Sequence, residues 1–199
     1  IRPLVFGFDI DGVLTHDDDG TKNIWLEAAS EYFGEPMTKP AYYIEDAFNK
    51  TREEVQEFFD ACIESIFTNV PARDHAADTL RSLTEQGSLV HLITARDERH
   101  RQTTEKWLER HGIPYHSLTM SPIHSRYSKG KRCLELGVQF FVDDKVENAL
   151  EVADCGIYTL LFHASHHAGR RTNLPLVKDW LEVQQHIEFF LDQGRRQVR

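Results

Sequence analysis

Four runs of the chain, residues 4–8, 89–94, 138–142 and 157–162, are apolar at nearly every position and rich in β-branched and aromatic side chains. A strand with one wet face would alternate; unbroken apolar runs of this length predict strands buried on both faces, as in a parallel sheet. A fifth run, 115–120, predicts another strand. Helical patterns separate the later runs. Residues 98–111 set Trp107, Leu108 and His111 on one side and stop at Gly112, while 128–136 and 146–155 stop at Gly137 and Gly156. A last helix over 179–192 turns Val183, Ile187, Phe190 and Leu191 inward, and 195–199 reads as a frayed tail. Strand and helix alternating in this way predict an α/β fold: a three-layer, doubly wound parallel sheet with its site at the carboxyl ends of the strands.

One stretch breaks the alternation. From Thr51, with Glu54 three residues later as a capping box, Val55, Phe58, Phe59, Cys62, Ile63, Ile66 and Phe67 fall at helical spacing on one face. A shorter helix over 23–33 precedes it, joined by a loop holding Pro36 and Pro40. Charge sharpens the picture. The 199-residue chain carries a net charge of −9, and residues 16–72 alone hold 13 acids against 4 bases, a difference of nine. The whole imbalance sits in one segment, so the chain is expected to divide into a core of residues 1–15 and 73–199 and a helical insertion of residues 16–72.

Hydrophobic residues at 40% and charged residues at 28% are ordinary for a globular chain. The acidic balance argues against a nucleic-acid or anionic-membrane partner and leaves a small anionic substrate possible if something offsets the repulsion. Cys62, Cys133 and Cys155 are odd in number and form no CxxC, so neither a disulfide framework nor a zinc site is expected; a reducing cytoplasm fits. The opening apolar run is too short for a signal peptide, and no run reaches membrane-spanning length. His163, His166 and His167 cluster after the last strand without regular ligand spacing and read as loop histidines.

The sharpest signal is 8–15, Phe-Asp-Ile-Asp-Gly-Val-Leu-Thr, where a buried strand ends in Asp9 and Asp11. In an extended chain these side chains point to opposite faces; they serve one site only if the chain turns just past the strand, which Gly12 permits. Two acids held there repel unless a cation such as Mg²⁺ sits between them.

This stretch resembles the first motif of the haloacid dehalogenase superfamily of phosphatases, and the other motifs follow in order over residues 4 to about 163. Residues 92–96, Leu-Ile-Thr-Ala-Arg, resemble the second motif, which implies phosphate binding by Thr94 and Ala95. Residues 141–144, Phe-Val-Asp-Asp, resemble the fourth, which implies that Asp144 ligates the metal with Asp9 and the Asp11 carbonyl, Asp143 standing behind. Lys129 is the expected lysine of the third, with Lys131 the alternative on the same helix start. The chemistry suits those residues. A carboxylate nucleophile, Asp9, divides hydrolysis into formation and breakdown of an aspartyl-phosphate. Asp11 would protonate the leaving oxygen and then deprotonate water. Thr94 can donate to a phosphoryl oxygen, and a lysine offsets charge on the transferring group.

In this superfamily an insertion after the first motif implies a cap that selects the substrate, and one of this size suits a small phosphorylated metabolite. Residues 143–149, 158–166 and 104–108 are similar to 5′(3′)-deoxyribonucleotidases and bacterial nucleotidases, which implies a substrate such as a nucleoside monophosphate. The chain departs from deoxyribonucleotidases where they carry Thr-Ser-Pro and it has Thr94-Ala95-Arg96, a methyl group replacing a hydroxyl. Among the insertion's aromatics, Trp25, Phe33, Tyr42, Tyr43 and Phe48, most are expected in its core, with one free to stack on substrate. A polynucleotide 3′-end phosphatase and a non-catalytic binding module on the same fold are the competing expectations; oligomeric state stays open.

Overall fold

The computed structural model describes residues 2–123, 125–167 and 169–196. Six strands, β1 (Val5–Phe8), β2 (Leu89–Asp97), β3 (Ser117–Ser121), β4 (Phe140–Asp143), β5 (Tyr158–Phe162) and β6 (Leu176–Val177), form one parallel sheet in the order β3-β2-β1-β4-β5-β6. The strand runs lack a polar face because helices cover both sides. Phe6, Phe8, Leu92, Phe140 and Val142 point to one face, against Leu80 and Leu83 of α4 (Ala76–Glu85), Trp107 and Leu108 of α5 (Arg101–Arg110), and Trp180, Val183 and Ile187 of α8 (Trp180–Arg196). Ile93 and Phe141 point to the other, against Cys133 of α6 (Lys129–Leu136) and Val152 of α7 (Val146–Asp154). At Gly7 a β-carbon would come 2.9 Å from the Phe141 ring, so β1 lies as close to its neighbour as a residue without a side chain allows.

Strand order reverses between β1 and β4. Connections leave in opposite directions at such a point and open a crevice beyond the strand ends, where open α/β sheets place their ligands.

The insertion contains α1 (Ile24–Phe33), α2 (Ile44–Phe48) and α3 (Arg52–Asn69). Asn23 caps α1 by accepting from the backbone N–H groups of Trp25 and Leu26 at 3.0 and 3.1 Å. The Thr51–Glu54 capping box opens α3 with both reciprocal bonds made. Ala29, Ile44, Ala47, Phe48, Val55 and Phe58 form a cluster of their own, apart from the core that packs on the sheet. The end of α3 is fastened to α5: the Trp107 indole N–H donates to Val70 O at 2.7 Å, Glu64 bonds His100 and Thr103, and Arg110 donates to Thr68 O. Thr15 and Ala72 pair across the insertion's two ends.

Several elements differ from their sequence expectation. β2 runs to Asp97, because Arg96 finds buried partners that its charge alone does not announce. Residues 98–100 make a separate 3-10 turn, with the Asp97 side chain accepting from Arg99 N, and α5 begins only at Arg101. The strand expected over 115–120 lies at Ser117–Ser121. The short α2 and β6, and α4, were not anticipated. The last helix extends to Arg196, four residues beyond its expected end; of the expected tail, 197–199 lie outside the described residues, as does Ile1.

Candidate active site

Asp9 continues β1, its N–H donating to Val142 O of β4 at 2.9 Å. The chain then coils: the N–H groups of Val13, Leu14 and Thr15 all donate to Ile10 O, and Gly12 N donates to Thr15 Oγ1. This turn keeps Asp11 at the strand end that carries Asp9. Gly12 has φ of 76°, and a β-carbon there would lie 2.3 Å from Asp144 Oδ2. Only glycine fits on both counts. Side chains from outside the turn brace it and the chain just beyond. Arg73 Nε donates to Gly12 O at 3.2 Å and its Nη2 to Asp18 O at 3.0 Å, and the Trp180 indole donates to Val13 O at 2.8 Å.

β4 delivers the second pair of acids. Asp9, Asp143 and Asp144 each offer a carboxylate oxygen, and these oxygens lie within 4.8 Å of one another. Lys129, buried at the first turn of α6, reaches between them, with Nζ 3.0 Å from Asp9 Oδ1 and 2.7 Å from Asp143 Oδ2. Lys131 is exposed and contributes its backbone N–H to the Ser128 cap instead. Asp143 is fully buried, its other oxygen accepting from Lys145 N at 2.8 Å. Thr94, also fully buried in the second half of the neighbouring β2, accepts from Arg96 N at 3.1 Å through its hydroxyl, while its carbonyl accepts from Tyr127 Oη at 2.6 Å. Ala95 is exposed.

Burial pushes the Asp9 carboxyl well up; Lys129 pulls it back, while Asp143, Asp144 and Asp11 push it further. Burial raises Asp144 in the same way, with Asp143 and Asp17 adding to it. For Lys129 burial favours the neutral amine, but Asp143 and Asp9 outweigh it and hold the ammonium above the ordinary lysine range. Of the four carboxylates Asp9, Asp11, Asp143 and Asp144, the first three pair with Lys129 or Arg96, and Asp144 has a histidine as its ion-pair partner. Crowded, under-neutralised oxygens of this kind are the donor set a hard divalent cation takes, so the residues fit Mg²⁺.

No family model matches the chain, but curated relatives and many solved structures do. A Bacillus cereus protein named "Putative nucleotidase" is 27% identical over 90% of this chain and 96% of its own length. A Chlorobaculum tepidum protein named "Putative 5′(3′)-deoxyribonucleotidase" is 24% identical over 94% of this chain and 92% of its own. A solved haloacid dehalogenase-like hydrolase from Streptococcus pneumoniae superposes with a TM-score of 0.66 at 16% identity, covering 93% of this chain and 98% of that one. The chain has the haloacid dehalogenase fold.

Within that fold the sequence passed over several neighbours of the acids. His166 Nε2 lies 3.2 Å from Asp144 Oδ2, and His167 Nε2 lies 2.6 Å from Asp144 O, so two of the three loop histidines contact a candidate ligand. Their irregular spacing conceals this, because a 3-10 turn over Ser165–His167 aims both rings back at β4. Tyr42 meets His166 edge to face with ring centroids 4.5 Å apart, and burial together with Asp144, Asp9 and Asp143 pushes its phenol up. Two of the expected aromatics, Phe33 and Phe48, pack on each other within the insertion, at 5.7 Å. Trp25 faces Phe59 and Phe67 and donates to Asp17 Oδ2. A cavity of about 110 Å³ lies between Tyr42, Tyr43, Lys145, His166 and Arg170. A larger one, about 620 Å³, lies between α2, α3 and Arg126, and none of the clustered acids lines it.

Proposed function

We propose that the protein is a Mg²⁺-dependent phosphomonoesterase of nucleotidase type, acting on a small phosphorylated metabolite such as a nucleoside monophosphate through an aspartyl-phosphate on Asp9. The observation that carries this reading is Lys129 Nζ set 3.0 Å from Asp9 and 2.7 Å from Asp143 at the strand-order reversal. A buried ammonium there favours the Asp9 carboxylate against burial and the neighbouring acids, and keeps donor capacity for an incoming phosphoryl oxygen. The names of the curated relatives support the same chemistry.

Asp9 attacks phosphorus, and Asp11 exchanges the proton with the leaving oxygen and then with water. Thr94 offers its hydroxyl proton to a phosphoryl oxygen, and Ala95, exposed beside it, its backbone N–H. Asp9, the Asp11 carbonyl and Asp144 would hold Mg²⁺, with Asp143 fixing Lys129 behind them. When bound, that ion neutralises charge on the phosphoryl group and on the acids. Residues 16–72 serve as the cap over the crevice, and Tyr42, whose phenol feels the charges of Asp144 and Asp9, is the aromatic best set to meet the leaving group.

The test is phosphate release from nucleoside monophosphates, sugar phosphates and para-nitrophenyl phosphate, with and without Mg²⁺. Wild type releases phosphate only with the metal, and Asp9→Asn abolishes release from every substrate. Release by Asp9→Asn at near the wild-type rate overturns the mechanism. Oligonucleotide 3′-phosphates cleaved in preference to mononucleotides, with steep salt dependence, would replace the substrate class.

A further inference from the structure

Asp11 is held by both oxygens. Arg96 Nε donates to Oδ2 at 2.9 Å and to Oδ1 at 3.2 Å, and Nη2 donates to Oδ1 at 2.7 Å. The Arg96 side chain is 1% exposed against 32% for Asp11, so the cation is buried and its partner faces the crevice. Nothing in the guanidinium is left free to swing. Nη1 donates to Thr104 Oγ1 on α5 at 3.1 Å, and the Phe67 ring from α3 lies 3.8 Å from Cζ. Burying a guanidinium is costly unless its nitrogens are hydrogen-bonded, as all three are here, and a planar fork fixed in this way and by an aromatic face is suited to fixing a carboxylate in two dimensions. A lysine point charge would neutralise Asp11 equally but would leave it free to rotate.

We propose that Arg96 is the positioning residue for Asp11, and that Phe67 ties that position to the insertion. The proposal rests on the phosphatase reading. There, as an Asp9 oxygen bonds to phosphorus, the bond to the leaving oxygen breaks, its electron pair stays on that oxygen, and a proton carried on Asp11 Oδ2, which accepts from Arg96 Nε alone and keeps a second lone pair for it, moves to the leaving oxygen. Water then bonds to phosphorus, its proton passes to Asp11, and the Asp9–phosphorus bond breaks. One carboxyl serves both transfers, and each needs it held to about 0.5 Å. Arg96 touches neither phosphate nor leaving group in this account; it acts through Asp11.

The experiment compares Arg96→Gln, Arg96→Lys, Phe67→Leu, Asp11→Asn and the Arg96→Gln/Asp11→Asn double variant, with Mg²⁺, on a nucleoside monophosphate and on para-nitrophenyl phosphate. Nitrophenolate leaves without a proton, whereas a nucleoside alkoxide does not. Arg96→Gln is expected to lose about 10²-fold in kcat/KM on the nucleotide, the lower range for a general acid, and less than about 5-fold on the aryl ester. Arg96→Lys restores part of the loss, and Phe67→Leu shows the same substrate pattern more weakly. In the Asp11→Asn background, Arg96→Gln costs less than about 2-fold more, as expected when one residue acts only through the other. Equal losses on both substrates, losses that multiply in the double variant, or full activity of Arg96→Gln would overturn the proposal. If Arg96→Gln does not fold, Arg96→Lys and Phe67→Leu, which keep a buried charge or an apolar side chain, carry the same comparison. Asp9→Asn separates the two claims: if it stays active the phosphatase reading fails, and if it is dead while the Arg96 losses multiply, only the positioning role fails.

Discussion

Asp17 Oδ2 accepts from the Trp25 indole at 3.0 Å, while Oδ1 is buried without a hydrogen-bond partner. Burial, reinforced by Asp11, pushes this carboxyl up to about 6. A raised acid holds its proton more tightly in the folded than in the unfolded chain, so its contribution to stability is intact below the unfolded value near 4 and is lost as pH rises through about 6. Two pK units correspond to roughly 3 kcal/mol. Asp17→Asn should therefore gain stability over wild type by up to about that amount between pH 4 and pH 8, measured by urea unfolding without metal. Parallel stability–pH curves for the two proteins would refute the assignment. Asp18 shifts the opposite way: burial raises it, but hydrogen bonds from Ser165, Gly20 and Asn23 outweigh that and hold it below the ordinary range. The meeting of Asp9 with the 143–144 pair was legible because acids at the ends of buried strands have few other uses, whereas the choice between Lys129 and Lys131 on one helix start needed the fold, which buries Lys129 beside Asp9. Arg73 and the loop histidines were not legible, since their partners lie far away in sequence or follow from a turn with no sequence signature.

The insertion's helices repay the same reading. Phe58 is fully buried, with Tyr32 and Phe33 at ring distances of 5.6 and 5.8 Å. Phe58→Ala should cost about 3–5 kcal/mol, the usual loss for an aromatic core truncation. A loss below about 1 kcal/mol in chemical denaturation would show that this cluster is not a packed core. Thr51→Ala removes one half of a capping box and should cost about 1 kcal/mol. α3 was legible because cap and apolar period coincide. α4 was not: its first residue follows His75 in a left-handed conformation with no side-chain cap, and its buried face mixes Ala76 and Thr79 with only two leucines. β6 has two residues, too few to show a period, and α2 has five.

For the molecule as a whole, the −9 charge matters less than its placement. The acidic stretch lies in the insertion, while the crevice at the strand ends offers Lys129, Arg96 and a place for a divalent ion. Substrate capture should depend on these local charges and not on long-range attraction, so kcat/KM should change by less than about 3-fold between low and physiological salt. A steep fall with salt would point to a polyanionic substrate. The proposed Mg²⁺ site exists only in the folded chain, so saturating metal should raise Tm at neutral pH, and Asp144→Asn should shrink that rise. The most direct test of the central claim is chemical trapping on Asp9. Acid quenching during turnover, borohydride reduction and peptide mass spectrometry should find homoserine at position 9, the product of a reduced aspartyl-phosphate, and should find it only when substrate and Mg²⁺ were both present. Full turnover with Asp9 unmodified, or homoserine at another aspartate, would contradict the account.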